Sequence, residues 1–462
     1  MRSRPAARRE RSSSLGEDVT QSQEGGPMRS RAAARRERSS SLGEDVTQSQ
    51  EGGPMRSRAA ARRERSSSLG EDVTQSQEGG PMTRPIAPGA WLGLLGGGQL
   101  GRMFCMAAQS MGYRVVVLDP GSVSPAGTVA DMHIRRDYLD PQGLEELARL
   151  AQGVTTEFEN VPAKALEFLA GHCWVSPMAA SVAIAQDRIR EKQFITGAGI
   201  GVAPHLVVRN AADLDSVDAG LLPGILKVSR LGYDGKGQAR VATFDQAQAA
   251  FRAFGEVPCV LEKLLPLKSE ISVVVARARD ASVVTYAVSE NEHKGGILDT
   301  SIVPARISAP LADAARSAAL RIASALDYVG VLCVEFFVLE DGTLLVNELA
   351  PRPHNSGHYS IDACVTSQFE QQVRVLAGLP LGDTRQHTPA VMLNVLGESW
   401  TGPHAAEAPD WEDVLAHGSA KLHLYGKSQA RPGRKMGHVT VLGTTLGAAL
   451  TAAAAIRAIL KP

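Results

Sequence analysis

The sequence predicts a mixed protein, α/β with α+β character. It opens with a doubly wound βαβ unit and turns richer in antiparallel strands toward its end. Three observations predict it. The apolar run Trp91–Leu95 enters Gly96-Gly-Gly-Gln-Leu-Gly101, an apolar helical stretch follows, and a second run, Arg114–Leu118, ends at Asp119; strand, glycine turn, helix and strand in that order make a βαβ start. Farther along, Val331–Leu339 and Thr343–Glu348 flank Asp341-Gly342, a strong hairpin signal. Finally, 44% of the 462 residues are hydrophobic, yet no apolar run comes near the ~18 that span a bilayer.

Length allows about three domains at roughly 150 residues each. The 49 basic and 49 acidic residues balance, so nothing global points to nucleic acid or a membrane. Cys105, Cys173, Cys259, Cys333 and Cys364 are odd in number and never spaced as C-x-x-C, which fits reduced cytoplasmic thiols rather than disulfides or zinc.

Residues 1–81 are a separate object. A 27-residue unit, Met1–Pro27, recurs at Met28–Pro54 and Met55–Pro81, differing only at Pro5, Ala32 and Ala59. Rich in Arg, Ser, Glu, Gln and Gly, it has too few apolar residues to bury a core and reads as a disordered tail. An arginine-bearing RNA arm is the other reading. Each unit opens with Met, and Met82 falls on the same period, so Met82 is a candidate start.

Within Gly96–Gly101 the spacing is G-x-G-x-x-G, with Asp119 about 20 positions on. A glycine turn entering a helix offers N–H groups to an anion, so a dinucleotide or another phosphorylated small molecule is a candidate ligand. Helix Leu144–Ala151 and strand Val154–Phe158 continue the pattern. Glu157 and Glu159 then stand at a strand's carboxyl end, where doubly wound sheets bind ligands. The charged helical segment Gln186–Lys192 leads into a second domain. There the strand Gly224–Ser229 carries Lys227 among apolar neighbours, followed by Gly232-Tyr233-Asp234-Gly235-Lys236-Gly237-Gln238. Glycines let backbone approach phosphate and lysine neutralises it; a plain flexible loop is the alternative. Strand Pro258–Lys263, hairpin Glu270–Arg277 with Ala281–Ser289, then His293, and helix Leu311–Leu326 follow.

With Asp341 and Gly342 as a two-residue type I′ loop, facing residue numbers sum to 683, and Glu335 lies opposite Glu348. Facing residues have Cβ atoms roughly 4.5–5.5 Å apart, and like charges there repel. Either both glutamates are solvated on a surface hairpin, or a cation sits between them; two carboxylates plus substrate phosphates is a common way to hold Mg²⁺. Directly after comes Ala350-Pro-Arg-Pro-His-Asn-Ser-Gly-His358, dense in polar groups. Near the end, Lys421, Lys427, Arg431, Arg434 and Lys435 gather with His423 and His438 beside β-patterned Val439–Leu442.

The lysine strand, glycine flap, Glu-x-x-Leu segment and paired acids resemble the ATP-grasp superfamily. LLGGGQLGRM, LGYDGKGQ, NELAPRPHNSGH and GKSQARPGRKMGH resemble its N5-carboxyaminoimidazole ribonucleotide synthetase family, over Met82–Pro462 and none of the repeats. The resemblance implies an N-terminal doubly wound domain (82–180), a central two-lobed ATP-grasp with a small flap-bearing lobe (181–268) and a large metal-bearing lobe (269–385), and a small C-terminal β-rich domain (386–462). It implies ATP-dependent carboxylation of 5-aminoimidazole ribonucleotide with bicarbonate, through carboxyphosphate, in purine biosynthesis. ATP would be held by Arg188, Lys227, Gly232–Gln238, Glu262, Lys263, Leu264, Leu265, Glu270, His293, Asn347 and Glu348. Mg²⁺, or Mn²⁺ in its place, would sit on Glu335 and Glu348. Arg352 and His354 would orient bicarbonate. Lys427 and Arg434 would grip the ribose phosphate, with Glu157 and Glu159 near the base. A cytoplasmic homodimer that binds neither nucleic acid nor membrane, and passes its product to a mutase, is implied too. Many superfamily members place an Asn two residues after the second Glu; Ala350 stands there, which leaves the full ligand set open. A formate-using glycinamide ribonucleotide transformylase shares the first half of this pattern and is the alternative ligase; a nicotinamide oxidoreductase would rest on GGGQLG alone.

Overall fold

The computed structural model describes residues 84–215, 218–232, 237–402 and 407–460. The repeats lie outside the described residues, and so do Tyr233, Asp234, Gly235 and Lys236 of the glycine flap.

A five-stranded parallel sheet comes first, in the order Met132–Ile134, Arg114–Leu118, Trp91–Leu95, Gly153–Thr156, Trp174–Val175. Alternation divides its strands between two cores. Leu92, Leu94, Val115 and Val117 pack on one side with Met103 and Phe104 of the Gln99–Ser110 helix. Leu95, Val116 and Leu118 pack on the other with Leu144, Leu147 and Leu166. The first core is completed from far along the chain by Phe369, Val373 and Leu376 of the Gln368–Ala377 helix. That helix is capped by Ser367 and ended by Gly378 at φ +71°, the left-handed conformation glycine adopts freely. The doubly wound start is as expected, and both strands, Trp91–Leu95 and Arg114–Leu118, begin and end where the sequence predicts.

A four-stranded antiparallel sheet follows, ordered His205–Val208, Cys259–Lys263, Gly224–Val228, Gln238–Val241. The largest sheet runs Leu344–Ala350, Gly330–Leu339, Leu267–Arg277, Ser289–Lys294, Ile297–Val303, Ala390–Leu396, Lys435–Leu442, Ala420–Leu424, with Val283–Thr285 paired to its third strand. The three strands after residue 386 therefore extend the central sheet rather than build their own, and a helix, Leu446–Leu460, follows them. The sequence signal there, a short apolar run beside basic residues, carries no information about which sheet it joins. Helix Ala309–Ala325 lays Ala315, Ala318, Ala319, Ile322 and Ala323 on the sheet residues Ile271, Val273, Leu332 and Val334, small side chains that allow close approach. Four of the five cysteines are buried and all are free. No helix among the described residues is long and apolar enough to cross a membrane.

The hairpin differs from its prediction in two ways that cancel. Its loop has three residues: Leu339 N–H donates to the Thr343 carbonyl (2.9 Å) and Gly342 N–H to the Leu339 carbonyl (2.9 Å). Pairs near the turn, such as Phe336 with Val346, therefore sum to 682 rather than 683. A bulge between Glu335 and Phe336 then adds one residue on the returning strand, and Glu335 faces Glu348 after all. The type I′ expectation fails because the left-handed requirement falls on Gly342 alone (φ +85°), the pattern of a type I turn closed by a glycine bulge.

A Cβ at Gly342 meets nothing within 4 Å, so the cost of Gly342→Ala is backbone alone. Urea denaturation of that variant is expected to show a loss of about 1–2 kcal/mol, with substrate turnover retained; an unchanged midpoint would remove the left-handed constraint from the account.

Candidate active site

Loops and strand ends of all three sheets line one cavity of about 730 Å³. Its floor is the hairpin. The bulge turns Asn347 and Glu348, consecutive in sequence, toward the same cavity as Glu335, which an unbroken strand with period-two alternation does not do. Burial, then repulsion from Glu348, pushes the Glu335 carboxyl up to about 7. The two acids have protein partners of only partial strength. Arg188 Nη1 donates to Glu348 Oε2 at 3.1 Å, and His354 Nε2 lies 3.2 Å from Glu335 Oε1. Asn347 Oδ1 is buried with no hydrogen-bond partner.

These oxygens fit a hard divalent cation. Among the described residues no third acidic, histidine or cysteine side chain joins them as a metal-holding group, so the protein offers too few ligands for a cage. Mg²⁺ and Mn²⁺ commonly accept such a site, because phosphates and water complete their shell.

Above the floor, Lys227 Nζ donates to Glu262 Oε2 at 2.8 Å. Lys192 lies 3.0 Å from the other Glu262 oxygen. Burial would raise the Glu262 carboxyl, but the two ammonium groups, Lys227 first, bring it down to about 2. Two buried lysines on one carboxylate leave a positive surplus, and Lys227 is the one that reaches the cavity wall. Lys192 and Glu191 escaped the sequence reading because charged helix residues read as a solvated face. Glu191 is buried, and its Oε1 accepts the Leu349 N–H at 2.6 Å; burial lifts it to about 8 despite Arg188.

Gly232, Gln238, Leu264, Glu270 and His293 also line the cavity, whereas Glu262, Lys263 and Leu265 do not. Lysines engage the Glu262 side chain, and strand alternation turns Lys263 outward. Gly237 adopts φ +70° where a Cβ would strike Val228. His293 Nδ1 lies 3.2 Å from Glu270 Oε2; burial lowers its basicity, but Glu270 more than restores it.

Across the cavity, Arg352 is ion-paired with Glu159, whose carboxyl burial would raise but Arg352 holds below the usual range. His354 is fixed by Gln368, which accepts from its N–H at 2.9 Å and donates to its carbonyl at 2.7 Å. Gln368 gave no sequence signal beyond helix polarity.

The glycine turn behaves differently from expectation. Gly97 N–H donates to Asp119 Oδ2 (2.9 Å). Gly98 and Gly101 donate to Glu157 Oε1 (2.8 Å) and Oε2 (3.2 Å). The donors a phosphate would use already hold carboxylates, which would repel one. A Cβ at Gly98 would lie 2.4 Å from Glu157 Oε1, so these glycines make room for an internal acid. Glu157 lines the cavity but serves first as this cap. Lys427 and Arg434 are also displaced from the expected wall. Lys427 Nζ donates to Gln99 Oε1 (2.8 Å) and the Lys435 carbonyl (2.7 Å), one layer behind the lining residues. Arg434 turns to the Gln429 carbonyl (2.7 Å). Lys435, the first residue of its strand, is the cation of that ribbon that lines the cavity, whereas Arg434 precedes the strand. A smaller cavity of about 380 Å³ near the hairpin turn is lined by Lys268, Glu290 and Arg306, and Arg306 is already paired to Glu290.

Family models for three domains match in series: a ribonucleotide synthetase preATP-grasp domain at residues 90–186, an ATP-grasp domain at 193–369 and a phosphoribosylaminoimidazole carboxylase C-terminal domain at 390–452. A Brucella melitensis N5-carboxyaminoimidazole ribonucleotide synthase is 49% identical over 358 residues, 77% of this chain and 97% of its own length. The chain belongs to the N5-carboxyaminoimidazole ribonucleotide synthase family. Solved structures of the family agree in fold. The Staphylococcus aureus synthetase complexed with ADP is 36% identical, with a TM-score of 0.76 over 82% of this chain and 99% of that one. The Aspergillus clavatus synthase in complex with ADP and 5-aminoimidazole ribonucleotide is 32% identical, with a TM-score of 0.75 over 80% and 98%. Family membership, with the glycine turn filled by Glu157 and Asp119, sets aside the nicotinamide oxidoreductase reading.

Glu191 supplies a pH test of this synthase-family site. Its folded pKa is raised, so its contribution to stability is full below the unfolded value near 4.5 and is lost as pH rises through about 8. Glu191→Gln keeps an acceptor for Leu349 N–H. It is expected to match the parent near pH 5 and exceed it by a few kcal/mol near pH 9, on the order of 1.4 kcal/mol per pH unit crossed. Parallel pH–stability curves by chemical denaturation would contradict the assigned burial.

Proposed function

We propose that this chain joins 5-aminoimidazole ribonucleotide and bicarbonate at the expense of ATP, giving N5-carboxyaminoimidazole ribonucleotide, ADP and phosphate in purine biosynthesis. The facing pair Glu335 and Glu348, set in a cavity with Lys227 and Arg188 on one side and Arg352 and His354 on the other, carries this reading.

Bound to Glu335 and Glu348, Mg²⁺ (or Mn²⁺) would supply neutralisation of the ATP phosphates. Lys227 adds a second positive charge there, held at the wall by Glu262. Arg188, now paired with Glu348, stands where it can turn to the γ-phosphate. A bicarbonate oxygen attacks the γ-phosphorus and the bond to ADP breaks, giving carboxyphosphate. Phosphoryl transfer of this kind needs positioning and charge more than covalent help. Arg352, oriented by Glu159, and His354, clamped by Gln368, hold the bicarbonate end. The exocyclic amine then takes the carboxyl carbon, directly or through CO₂, and phosphate leaves. Water must be excluded meanwhile, because carboxyphosphate would otherwise be hydrolysed. Lys435, whose charge reaches Glu159 and Glu335, offers the ribonucleotide an anion contact, with Lys427 supporting it through Gln99. Domain limits near 180, 268 and 385, a cytoplasmic homodimer and hand-off of product to a mutase belong to the same proposal.

Phosphate release is the assay. Turnover should require 5-aminoimidazole ribonucleotide together with bicarbonate; stimulation by formate plus glycinamide ribonucleotide instead would replace this reading with the transformylase. Glu335→Gln and Glu348→Gln should each lower turnover by at least about a hundredfold with unchanged circular dichroism. Near-parental rates at saturating Mg²⁺ would remove the carboxylates from the metal.

A further inference from the structure

We propose that His354 acts as a neutral Nε2–H donor, a tautomer set by the Ser356 backbone N–H, and that a buried hydroxyl–amide relay of Ser301, Asn291, Ser272 and Ser356 braces the ring in that state, making these four positioning residues for the reaction. The inference rests on the role given to His354 in the proposed carboxylation.

The relay crosses three neighbouring strands and ends in the loop after the hairpin. Ser301 Oγ donates to Asn291 Oδ1 (2.9 Å), and Asn291 Nδ2 donates to Ser272 Oγ (2.9 Å). Ser272 Oγ donates to Ser356 Oγ (2.7 Å), and Ser356 Oγ stands 2.9 Å from His354 Nδ1. All four residues are buried, so no bulk water can supply an alternative partner.

One link fixes the direction of all the others. The backbone N–H of Ser356 points at His354 Nδ1 at 3.3 Å, and a backbone N–H can only donate. Nδ1 is therefore an acceptor and carries no proton. The Ser356 hydroxyl, 2.9 Å from the same nitrogen, must give its single proton to it. Ser356 Oγ then has only lone pairs to offer Ser272, so Ser272 donates. Ser272 in turn must accept from the Asn291 amide, which leaves Asn291 Oδ1 for Ser301. Cys333 Sγ also lies 3.9 Å from Ser356 Oγ, but a thiol is a weak partner, and the shorter bonds of the chain run in this one direction while the Ser356 N–H stays in place.

The imidazole proton consequently sits on Nε2, 3.2 Å from Glu335 Oε1 and facing the cavity. Which ring nitrogen is protonated is set by the bond the other one makes. In this tautomer the ring can donate to a carboxylate, bicarbonate or phosphate oxygen. It cannot serve as a general base, because Nε2 already holds a proton and Nδ1 is doubly engaged. Ser272 also stands opposite Glu335 in the strand pair, which places the relay beside the acid that His354 approaches.

The full chain with ¹⁵N-labelled histidine tests this by two-bond ¹H–¹⁵N correlation, with the His354 signals assigned by their loss in His354→Gln. The parent should show the Nε2–H pattern alone. In Ser272→Ala the Ser356 backbone N–H still points at Nδ1, so the Nε2–H pattern should persist while the ring loses the hydroxyl that braces Ser356. Turnover at saturating substrate should fall about tenfold, the lower end for a partner that orients a metal-site group, while the KM for ATP holds. A parental Nδ1–H pattern, or parental turnover in Ser272→Ala, overturns the relay. If the parent shows the expected tautomer but no turnover dependent on 5-aminoimidazole ribonucleotide, the proposed reaction fails and the relay stands. If turnover is present with Nδ1–H, the relay alone fails.

Discussion

A buried carboxylate, Glu335, faced by a second and half-exposed one, Glu348, needs positive charge beside it, and the rest of the site is arranged around that constraint. Glu335 and Glu348 face one another across the hairpin, and each finds a neighbour on a different element: Arg188 from the helix that opens the ATP-grasp match, His354 from the loop that follows the hairpin. Neither contact is a full neutralisation, since Glu335 remains raised by burial and by Glu348. In the proposed function, a nucleotide-bound cation would relieve both acids at once and release Arg188 and His354 for phosphate and bicarbonate.

The same logic, applied in reverse, explains the first domain. Its glycine turn has the form of a phosphate cradle, yet Glu157 and Asp119 occupy the N–H groups. The positive end of the helix is satisfied inside the protein. Positive charge stands elsewhere on the cavity, where Lys192 and Lys227 outnumber Glu262, and where Lys435 and Arg352 stand near Glu159. The cavity thus separates an acidic side, suited to metal and amine, from basic patches suited to phosphates.

Much of the fold was legible. Trp91–Leu95 and Arg114–Leu118 declared themselves by apolar runs of strand length, and the motifs around Lys227, Glu348 and Arg352 announced a nucleotide ligase. The facing pair itself was reached through a wrong turn type, because Asn347 adds the residue that the three-residue loop had taken away. Bulges carry no composition signature, so only the coordinates reveal that cancellation. Positions that support rather than touch were illegible: Lys192, Glu191, Gln368 and Ser272 look like ordinary helix or strand polarity until the chain is folded. The basic ribbon was legible as a stretch, but that Lys435 is the member of it lining the cavity was not. The joining of the C-terminal strands to the central sheet had no local signal either.

The central claim is that the hairpin acids form half of a metal site whose other half is nucleotide. Electron paramagnetic resonance of Mn²⁺ titrated into the full chain, with and without ADP, tests it most directly. One tightly held Mn²⁺ should appear only when ADP is present and vanish in Glu335→Gln. Equal binding without nucleotide, or binding retained in Glu335→Gln, would contradict the account.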